Sequence, residues 1–359
     1  MQFNWRESGK KRMKLKYNPY GLIIDQTSLC VQKCYFCYRA SSGAESGLLK
    51  SKKVPPFLPV DLYKKIIDEA AEIESLTFLS LCGPLGEPLM VRDLVERLEY
   101  AKNKNRFQTI LINTNGQLLH VHDLAKLLNA CTNIQVSVDS IKKETYEKIH
   151  CNGDFEKVMQ NIETLVDVKK KKPEGAAISI RFTEGEYNRG EWEDFHRFFE
   201  NKADRVLRRK IHSFMSLHTE YKTEMGPILC NQPYGNINFN VKGEITTCCI
   251  NWELEPCFGN IRDHSLKELW ESKEFEEWRD VRMETTCKDC GGLGGFQQRV
   301  DFRPSKEEII KYKKILKMGE KKYYRRNRQS RLSFNRGLPI LKKLFNYGVK
   351  KIKRIVTSD

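Results

Sequence analysis

The sequence predicts an α/β fold, a partial (β/α)6 barrel followed by a small cysteine-rich α+β module. From about residue 20, short runs rich in β-branched residues alternate with helical apolar stripes, and there are only five or six such runs. Strands that alternate with helices of this length form right-handed crossovers and a parallel sheet. Because a closed barrel of this kind has eight strands, we expect an open barrel whose chemistry lies at the carboxyl ends of its strands.

The predicted elements follow one another in a regular order. Apolar residues at three- and four-residue spacing predict helices over 62–70, 94–101 and 155–165. Near residue 225 the alternation of strands and helices ends. The sequence then predicts a hairpin over 236–247 and one helix over 265–282. The six predicted strands are Gly21–Asp25, Leu76–Leu81, Thr109–Asn113, Ile134–Val138, Ala177–Phe182 and Val206–Ile211.

The positive charge of the chain is concentrated at its two ends. The net charge is +16, of which residues 1–19 carry +5 and residues 301–359 carry +14, so that the rest carries −3. We therefore divide the chain into a basic N-terminal segment (1–19), a core (20–220), a cysteine-rich module (225–300) and a basic helical tail (301–359). A protein that tracks a phosphate backbone through its active site carries its charge in the core, so the distribution argues against nucleic acid as a partner.

The tail after Gly337 combines apolar residues at helical spacing with many Lys and Arg residues. Such a helix either lies on an anionic membrane or a partner, or packs on its own domain with a solvated charged face; RNA binding is a weaker third reading. No apolar run approaches membrane-spanning length and the N-terminus lacks a signal-peptide pattern. We expect a cytoplasmic protein, with peripheral membrane contact through this tail as an alternative.

Three cysteines follow the first predicted strand at close spacing. Cys30-x3-Cys34-x2-Cys37 places three thiols within eight residues. In a cytoplasmic protein, such thiols are more typical of metal ligands than of disulfides. Three thiolates can hold three corners of an iron–sulfur cubane and leave the fourth iron open, whereas a structural zinc site needs a fourth ligand nearby, and none follows. The alternative is three buried free cysteines.

This motif, with an aromatic residue before the third cysteine, resembles the signature of the radical S-adenosylmethionine (SAM) superfamily. Three further stretches occur in that family's order: 84–89 resembles its GGE-type motif, 113–116 its TNG turn and 137–140 its S-x-D position. The resemblance covers about residues 20–215. It implies a barrel of the radical SAM type that holds a [4Fe–4S] cluster on Cys30, Cys34 and Cys37. The residues that it places at SAM are Phe36, Gly86, Glu87, Asn115, Ser137, Asp139 and Arg181.

A second set of cysteines lies in the C-terminal module. Four thiolates close the shell of a metal site, which suits zinc and an iron–sulfur cluster equally by ligand type. The arrangement resembles the twitch form of the SPASM domain, and this resemblance implies one auxiliary [4Fe–4S] cluster. Cys249 and Cys257 are nearby alternatives to these ligands. The four ligands expected are Cys230, Cys248, Cys287 and Cys290.

The resemblance also implies a mechanism, in which reductive cleavage of SAM yields a 5′-deoxyadenosyl radical that abstracts a hydrogen atom from the substrate. We expect a radical SAM oxidoreductase that oxidises a carbohydrate-like or other small hydroxylated substrate, with the auxiliary cluster as electron acceptor and a flavodoxin or ferredoxin as donor. One alternative is maturation of a ribosomally made peptide, which the 29 residues before Cys30 disfavour because they are too few for a leader-binding domain. Another is a non-catalytic iron–sulfur protein that engages membrane or RNA through its basic tails. The sequence singles out no catalytic acid or base.

Overall fold

A computed structural model of the chain describes residues 17–38, 54–211, 230, 232–282, 287 and 290. Most of the basic N-terminal segment and the whole basic tail, with its predicted amphipathic helix, lie outside the described residues. Among the described residues, no helix has the length and apolar character needed to span a bilayer.

Within the described residues, the strands form a nine-stranded sheet and a separate two-stranded sheet. Their bounds are β1 Gly21–Ile24, β2 Lys33–Cys34, β3 Phe78–Ser80, β4 Thr109–Thr114, β5 Asn133–Ser137, β6 His150–Cys151, β7 Ala177–Glu184, β8 Arg205–Lys210, β9 Asn236–Phe239, β10 Glu244–Thr246 and β11 Cys257–Asn260. The order in the large sheet is β11-β10-β9-β1-β3-β4-β5-β7-β8, and β2 pairs with β6.

Helices connect consecutive strands of the large sheet, as in right-handed crossovers. Short 3₁₀ turns lie at Pro88–Met90 and Leu119–Val121. The helices are α1 Val60–Ala71, α2 Leu94–Lys102, α3 Leu124–Ala130, α4 Lys143–Ile149, α5 Phe155–Lys171, α6 Trp192–Phe199, α7 Gln232–Gly235, α8 Leu266–Trp270 and α9 Lys273–Val281.

The six strands β1, β3, β4, β5, β7 and β8 run parallel, which confirms the predicted α/β fold class. One face of this sheet is apolar: Ile24, Ile112 and Ile134 alternate with residues of the other face and belong to the core cluster shared with the helices. The other face carries polar side chains such as Asn113 and Gln135, which are paired in register on β4 and β5. Since side chains alternate along a strand, burying the apolar face turns Asn113 and Gln135 toward the inside of the open barrel.

The C-terminal hairpin continues the core sheet. Its first strand, β9, pairs in parallel with β1, with Gly21 opposite Asn236, and β10 then pairs with β9 in the antiparallel sense. A side chain at Gly21 would lie within 1.9 Å of Asn236 Oδ1, so glycine is what permits this close pairing. The predicted hairpin is present, but its attachment to the first strand depends on contacts more than 200 residues apart in sequence.

The single helix predicted over 265–282 is wrong, because the structure has two helices there, α8 and α9. Each begins at its own cap. The Ser265 hydroxyl accepts the backbone N–H of Glu268 in a capping box, and the Ser272 hydroxyl accepts the N–H of Phe275. Serine at an N-cap satisfies the free N–H groups that begin a new helix, so Ser272 marks the break.

Candidate functional site

The three-cysteine motif forms a loop beyond the end of β1. Its backbone is shaped by β2, which pairs with β6 so that Cys34 lies opposite His150, and by a turn in which Cys37 N–H donates to Cys34 O at 2.8 Å. Burial raises the pKa of the Cys34 thiol well above its usual value, and the neighbouring thiols of Cys37 and Cys30 raise it further. Three thiolates this close repel one another, so the loop favours the thiolate form only with a cation present.

Gly86 and Glu87 bring the second predicted motif against the cysteine loop. A side chain on Gly86 would lie within 2.2 Å of Thr27 O, so this backbone approach requires glycine. Glu87 N–H donates to Leu29 O at 2.8 Å. The stretch 84–89 is therefore attached to the residues that immediately precede Cys30.

The Glu87 carboxylate fixes the turn that follows β4. It accepts hydrogen bonds from the Thr114 hydroxyl at 2.5 Å and from Asn115 N–H at 2.8 Å, besides Leu89 N–H at 3.1 Å. The Asn115 side-chain amide lies 3.7 Å from Cys30 Sγ, within the range of an N–H donor to sulfur. Glu87, Asn115 and Cys30 are thus linked in one chain of contacts, in which Glu87 bonds to the protein itself.

The buried position of Glu87 predicts an unusual pH dependence of stability. Burial raises its pKa from 4.5 to about 7, against three hydrogen bonds that lower it. The folded chain therefore holds this proton more tightly than the unfolded chain, and the stabilisation present below pH 4.5 is lost as the pH rises through about 7. Relative to Glu87→Gln, the wild type should lose about 1.4 kcal/mol per pH unit at the steepest point. Denaturant unfolding of both proteins between pH 5 and pH 8 measures this difference, and parallel pH profiles would contradict it.

The remaining residues predicted at SAM separate into two groups. Ser137 and Arg181 are register partners on β5 and β7, on the inner face of the sheet near its carboxyl edge. Asp139 is instead fully buried, with Oδ2 3.1 Å from Nε2 of His150. Phe36 packs edge-on to the same histidine ring, with centroids 6.3 Å apart. The structure thus places Asp139 and Phe36 around His150. Sequence reasoning missed this histidine because neither the helix before it nor the cysteine after it belongs to a motif.

The cysteines of the C-terminal module approach one another across the hairpin. Burial raises the pKa of Cys248 well above its usual value, and Cys249, Cys287 and Cys230 add to the shift. Burial likewise raises the pKa of Cys287 to about 11, with Arg282 opposing and Cys230 and Cys290 adding to it. Cys230, Cys248 and Cys287 therefore lie within electrostatic range of one another, and Cys290 lies within range of Cys287.

Two other cysteines of this module have partly different neighbours. Burial raises the pKa of Cys249 to about 12, and the thiols of Cys230 and Cys82 raise it further. Cys257 lies on β11, where burial and then Glu244 and Glu255 raise its pKa. Cys287 is among the main causes that raise the pKa of Cys248 and is not among those for Cys249 or Cys257, which favours Cys248 as the ligand from the 248–249 pair.

Both thiol sets have the donor chemistry that iron–sulfur clusters require. Among the described residues, no group of three Cys, His, Asp or Glu side chains converges on a single metal ion. Cluster thiolates bind different iron atoms of a cubane, so they do not need to share one point. The Asn115 amide near Cys30 Sγ is a sulfur-directed donor of the kind that surrounds such clusters.

The inner face of the sheet contains polar atoms with no hydrogen-bond partner among the described residues. Asp25 ends the first predicted strand and is a residue that sequence reasoning also missed. Its side chain is 1% exposed, and within the described residues its Oδ1 accepts one hydrogen bond, from Leu85 N–H at 3.4 Å. Burial raises its pKa well above the usual range. Its one sequence signal is an acidic residue ending an otherwise apolar strand. The unpartnered atoms on this face are Asp25 Oδ2, Asn113 Oδ1, Arg181 Nε and Asn238 Oδ1.

Comparison with known proteins agrees with this geometry. The sequence matches the Radical SAM superfamily over residues 25–199 and the SPASM iron–sulfur cluster-binding domain over residues 230–291. A probable GTP 3′,8-cyclase of Methanococcus maripaludis is 32% identical over 143 residues, and one of Methanocaldococcus jannaschii is 31% identical over 149 residues. These matches span 40% and 41% of this chain and 44% and 45% of the relatives, less than half in each case.

Two solved structures share the fold. Streptococcus suis SuiB bound to precursor peptide SuiA is 16% identical, with a TM-score of 0.54 over 76% of this chain and 70% of SuiB. Native anSMEcpe with bound AdoMet is 16% identical, with a TM-score of 0.53 over 84% of this chain and 100% of that chain. The chain thus contains a radical SAM domain, whose cofactors are SAM and an iron–sulfur cluster, and a SPASM iron–sulfur cluster-binding domain.

Proposed function

We propose that this radical SAM enzyme oxidises a small hydroxylated, carbohydrate-like substrate bound against the inner face of the sheet. Cys30, Cys34 and Cys37 would hold the cluster that binds SAM, and the four cysteines of the C-terminal module would hold the electron-accepting cluster. When bound, SAM and its cluster supply a radical that removes a hydrogen atom from the substrate. A flavodoxin or ferredoxin is the proposed electron donor.

The observation that carries this proposal is the set of unpartnered polar atoms on the inner face. In register, Asn238 lies opposite Ile23, Asp25 follows two residues later on the same side, and Asn113 and Arg181 occupy that side of β4 and β7. An unpartnered buried polar atom is costly in a folded protein unless a ligand or water satisfies it. Three of the four atoms are oxygens that accept hydrogen bonds, which suits a ligand rich in hydroxyl groups.

Asp25 is the proposed acceptor of the substrate hydroxyl proton. Its charge influences both Cys82, at the end of β3, and Cys249, beside the proposed auxiliary ligand Cys248. It therefore lies within electrostatic range of the cysteine next to Cys248. Oxidation of an alcohol releases the hydroxyl proton as well as a hydrogen atom and an electron. A buried carboxylate with a raised pKa has a high affinity for that proton.

Replacing Asp25 with asparagine tests this role. We expect substrate-dependent product formation to fall by about 100-fold or more, the usual scale of general acid–base catalysis, while substrate-free release of 5′-deoxyadenosine continues. Both quantities are measured by chromatography of anaerobic reactions with dithionite. Asp167→Asn, on the exposed side of α5, is the matched control. Equal product rates in Asp25→Asn and wild type would remove Asp25 from the mechanism.

A second candidate substrate is a nucleoside triphosphate or other phosphorylated molecule. Arg181 has a like-charged neighbour, Arg209 on β8, whose pKa is lowered by burial and then by Arg181. Within the described part of the chain neither side chain forms an ion pair, so the two together suit an anionic group. The sequence match to the archaeal cyclases agrees with a nucleotide.

The substrate class is tested by stimulation of 5′-deoxyadenosine release. Sugars and cyclitols, their phosphates, GTP and short peptides are offered separately to the reduced enzyme. Stimulation by a sugar or cyclitol, with an equivalent of oxidised product, is the expected result. Stimulation by GTP alone would favour the second candidate, and stimulation by peptides alone would contradict both.

A further inference from the structure

Two polar side chains form a hydrogen-bonded chain that ends at Cys248, one of the proposed ligands of the auxiliary cluster. The Thr247 hydroxyl lies 3.9 Å from Cys248 Sγ, within the range of an O–H donor to sulfur. Asn251 Nδ2 lies 3.0 Å from the same hydroxyl oxygen. Thr247 and Asn251 are each 1% exposed, so bulk water does not compete for these bonds. Cys248 is therefore supported by hydrogen bonds that the protein itself supplies.

The partners of Asn251 fix the direction of each bond in this chain. Asn251 Nδ2 also lies 3.0 Å from Glu255 O, and a carbonyl oxygen only accepts, so the amide atom that faces both groups is the nitrogen. The Thr247 oxygen accordingly accepts from Asn251, and its own hydrogen is directed at Cys248 Sγ. A threonine hydroxyl keeps this hydrogen throughout the pH range in which proteins are folded, so the donor needs no change of protonation.

The backbone holds the same residues in one tight turn. Asn251 N–H donates to Cys248 O at 3.2 Å. Asn251 is thus bound to Cys248 through the backbone and to Thr247 through its side chain, which keeps the hydroxyl beside the sulfur. Ile250, inside this turn, is buried against three of the four proposed ligands, Cys230, Cys248 and Cys290.

This hydrogen-bonded chain acts on the step in which the auxiliary cluster takes up an electron. In that step the substrate radical loses one electron to the oxidised cluster and becomes the product, as its hydroxyl proton passes to Asp25. The added electron makes the cluster and its thiolates more negative. A hydroxyl dipole directed at the Cys248 sulfur stabilises that charge, and hydrogen bonds to the sulfurs are one of the factors that set a cluster's potential. Burial and the polarising bond from Asn251 strengthen the effect.

We propose that Thr247 and Asn251 are positioning residues that direct an O–H hydrogen bond at the Cys248 sulfur and raise the reduction potential of the auxiliary cluster. The cluster thereby becomes a better acceptor of the electron from the substrate. The inference rests on the proposed function, because that function assigns the electron-accepting cluster to Cys248 and its partners.

The test compares two replacements of Thr247. Thr247→Val keeps the shape of the side chain and removes the hydroxyl, whereas Thr247→Ser keeps the hydroxyl. The readout is the midpoint potential of each cluster in the full chain, from redox titrations followed by electron paramagnetic resonance, with iron content measured in parallel. At a fixed potential, we expect the ratio of reduced to oxidised auxiliary cluster to fall about threefold in Thr247→Val, equivalent to about 30 mV for one electron. Thr247→Ser should match the wild type.

The SAM-perturbed cluster is the internal reference, and Thr246→Val is the matched control. Thr246 is also buried, but its hydroxyl has no sulfur partner among the described residues, so its loss should leave both potentials unchanged. Asn251→Leu removes the donor that orients the Thr247 hydroxyl. It should lower the auxiliary potential by less than Thr247→Val does.

Equal auxiliary potentials in Thr247→Val and Thr247→Ser would overturn the inference. An equal shift in Thr246→Val would do the same, because the loss of any nearby hydroxyl would then account for it. If Thr247→Val loses the auxiliary irons, Asn251→Leu decides, and a wild-type potential in that variant overturns the inference. Zinc, or no iron, at the C-terminal cysteines of the wild type contradicts the proposed function itself, before any variant is compared.

Discussion

Replacing Cys30, Cys34 and Cys37 together with alanine is expected to remove about four of about eight irons and to abolish SAM cleavage. The three thiols lie within mutual electrostatic range, and burial together with their charges raises the pKa of Cys34. That arrangement favours thiolates only when iron neutralises them. The measurement is anaerobic iron and labile sulfide content, with electron paramagnetic resonance before and after SAM is added. The signal that disappears should be the one that SAM perturbs.

The matched control for this variant is Cys151→Ala. Cys151 is exposed, although it follows the histidine that contacts Cys34. Its loss should leave the iron content and SAM cleavage unchanged. If the triple variant keeps all of its iron, or if the lost signal is indifferent to SAM, the proposed location of the catalytic cluster is wrong.

Replacing Cys287 and Cys290 with alanine is expected to separate SAM cleavage from substrate oxidation. The variant should lose about four irons, keep substrate-free release of 5′-deoxyadenosine, and lose product formation almost completely. The physical reason is that the two cysteine sets are held by different elements, one by the loop beyond β1 and the other by the hairpin and the residues after α9. Without an electron acceptor, a substrate radical cannot be converted to the oxidised product. Metal analysis and product chromatography on one preparation measure all three outcomes.

Cys257→Ala is the control for the auxiliary site, because Cys257 lies on β11, where Glu244 rather than another cysteine is the charged group that most raises its pKa after burial. It should retain the full iron content. Zinc in place of four irons in the wild type would make the C-terminal site structural and would remove the electron-acceptor role. Loss of SAM cleavage together with the auxiliary irons would show that the two sites are not independent.

The local pattern of apolar residues was sufficient to predict the strands of the core and their succession along the chain. The run Thr109–Asn113 was predicted as a strand and is observed as β4 Thr109–Thr114, because alternation of apolar and polar residues depends only on neighbours in sequence. The helix over 265–282 was predicted wrongly for the same reason. An apolar stripe continues through Ser272, and only the cap that its hydroxyl makes with Phe275 N–H reveals the break.

The sequence by itself determined the family, the parallel α/β core and the identity of the cysteines proposed as ligands, because these features depend on residues that lie close together along the chain. Only the tertiary structure decided that β9 continues the sheet beside β1, and that Asp139 faces His150. It alone brought Asp25 within electrostatic range of Cys82 and Cys249. These features depend on strand register and on contacts between distant segments, and a one-residue change in register would turn each of these side chains to the opposite face.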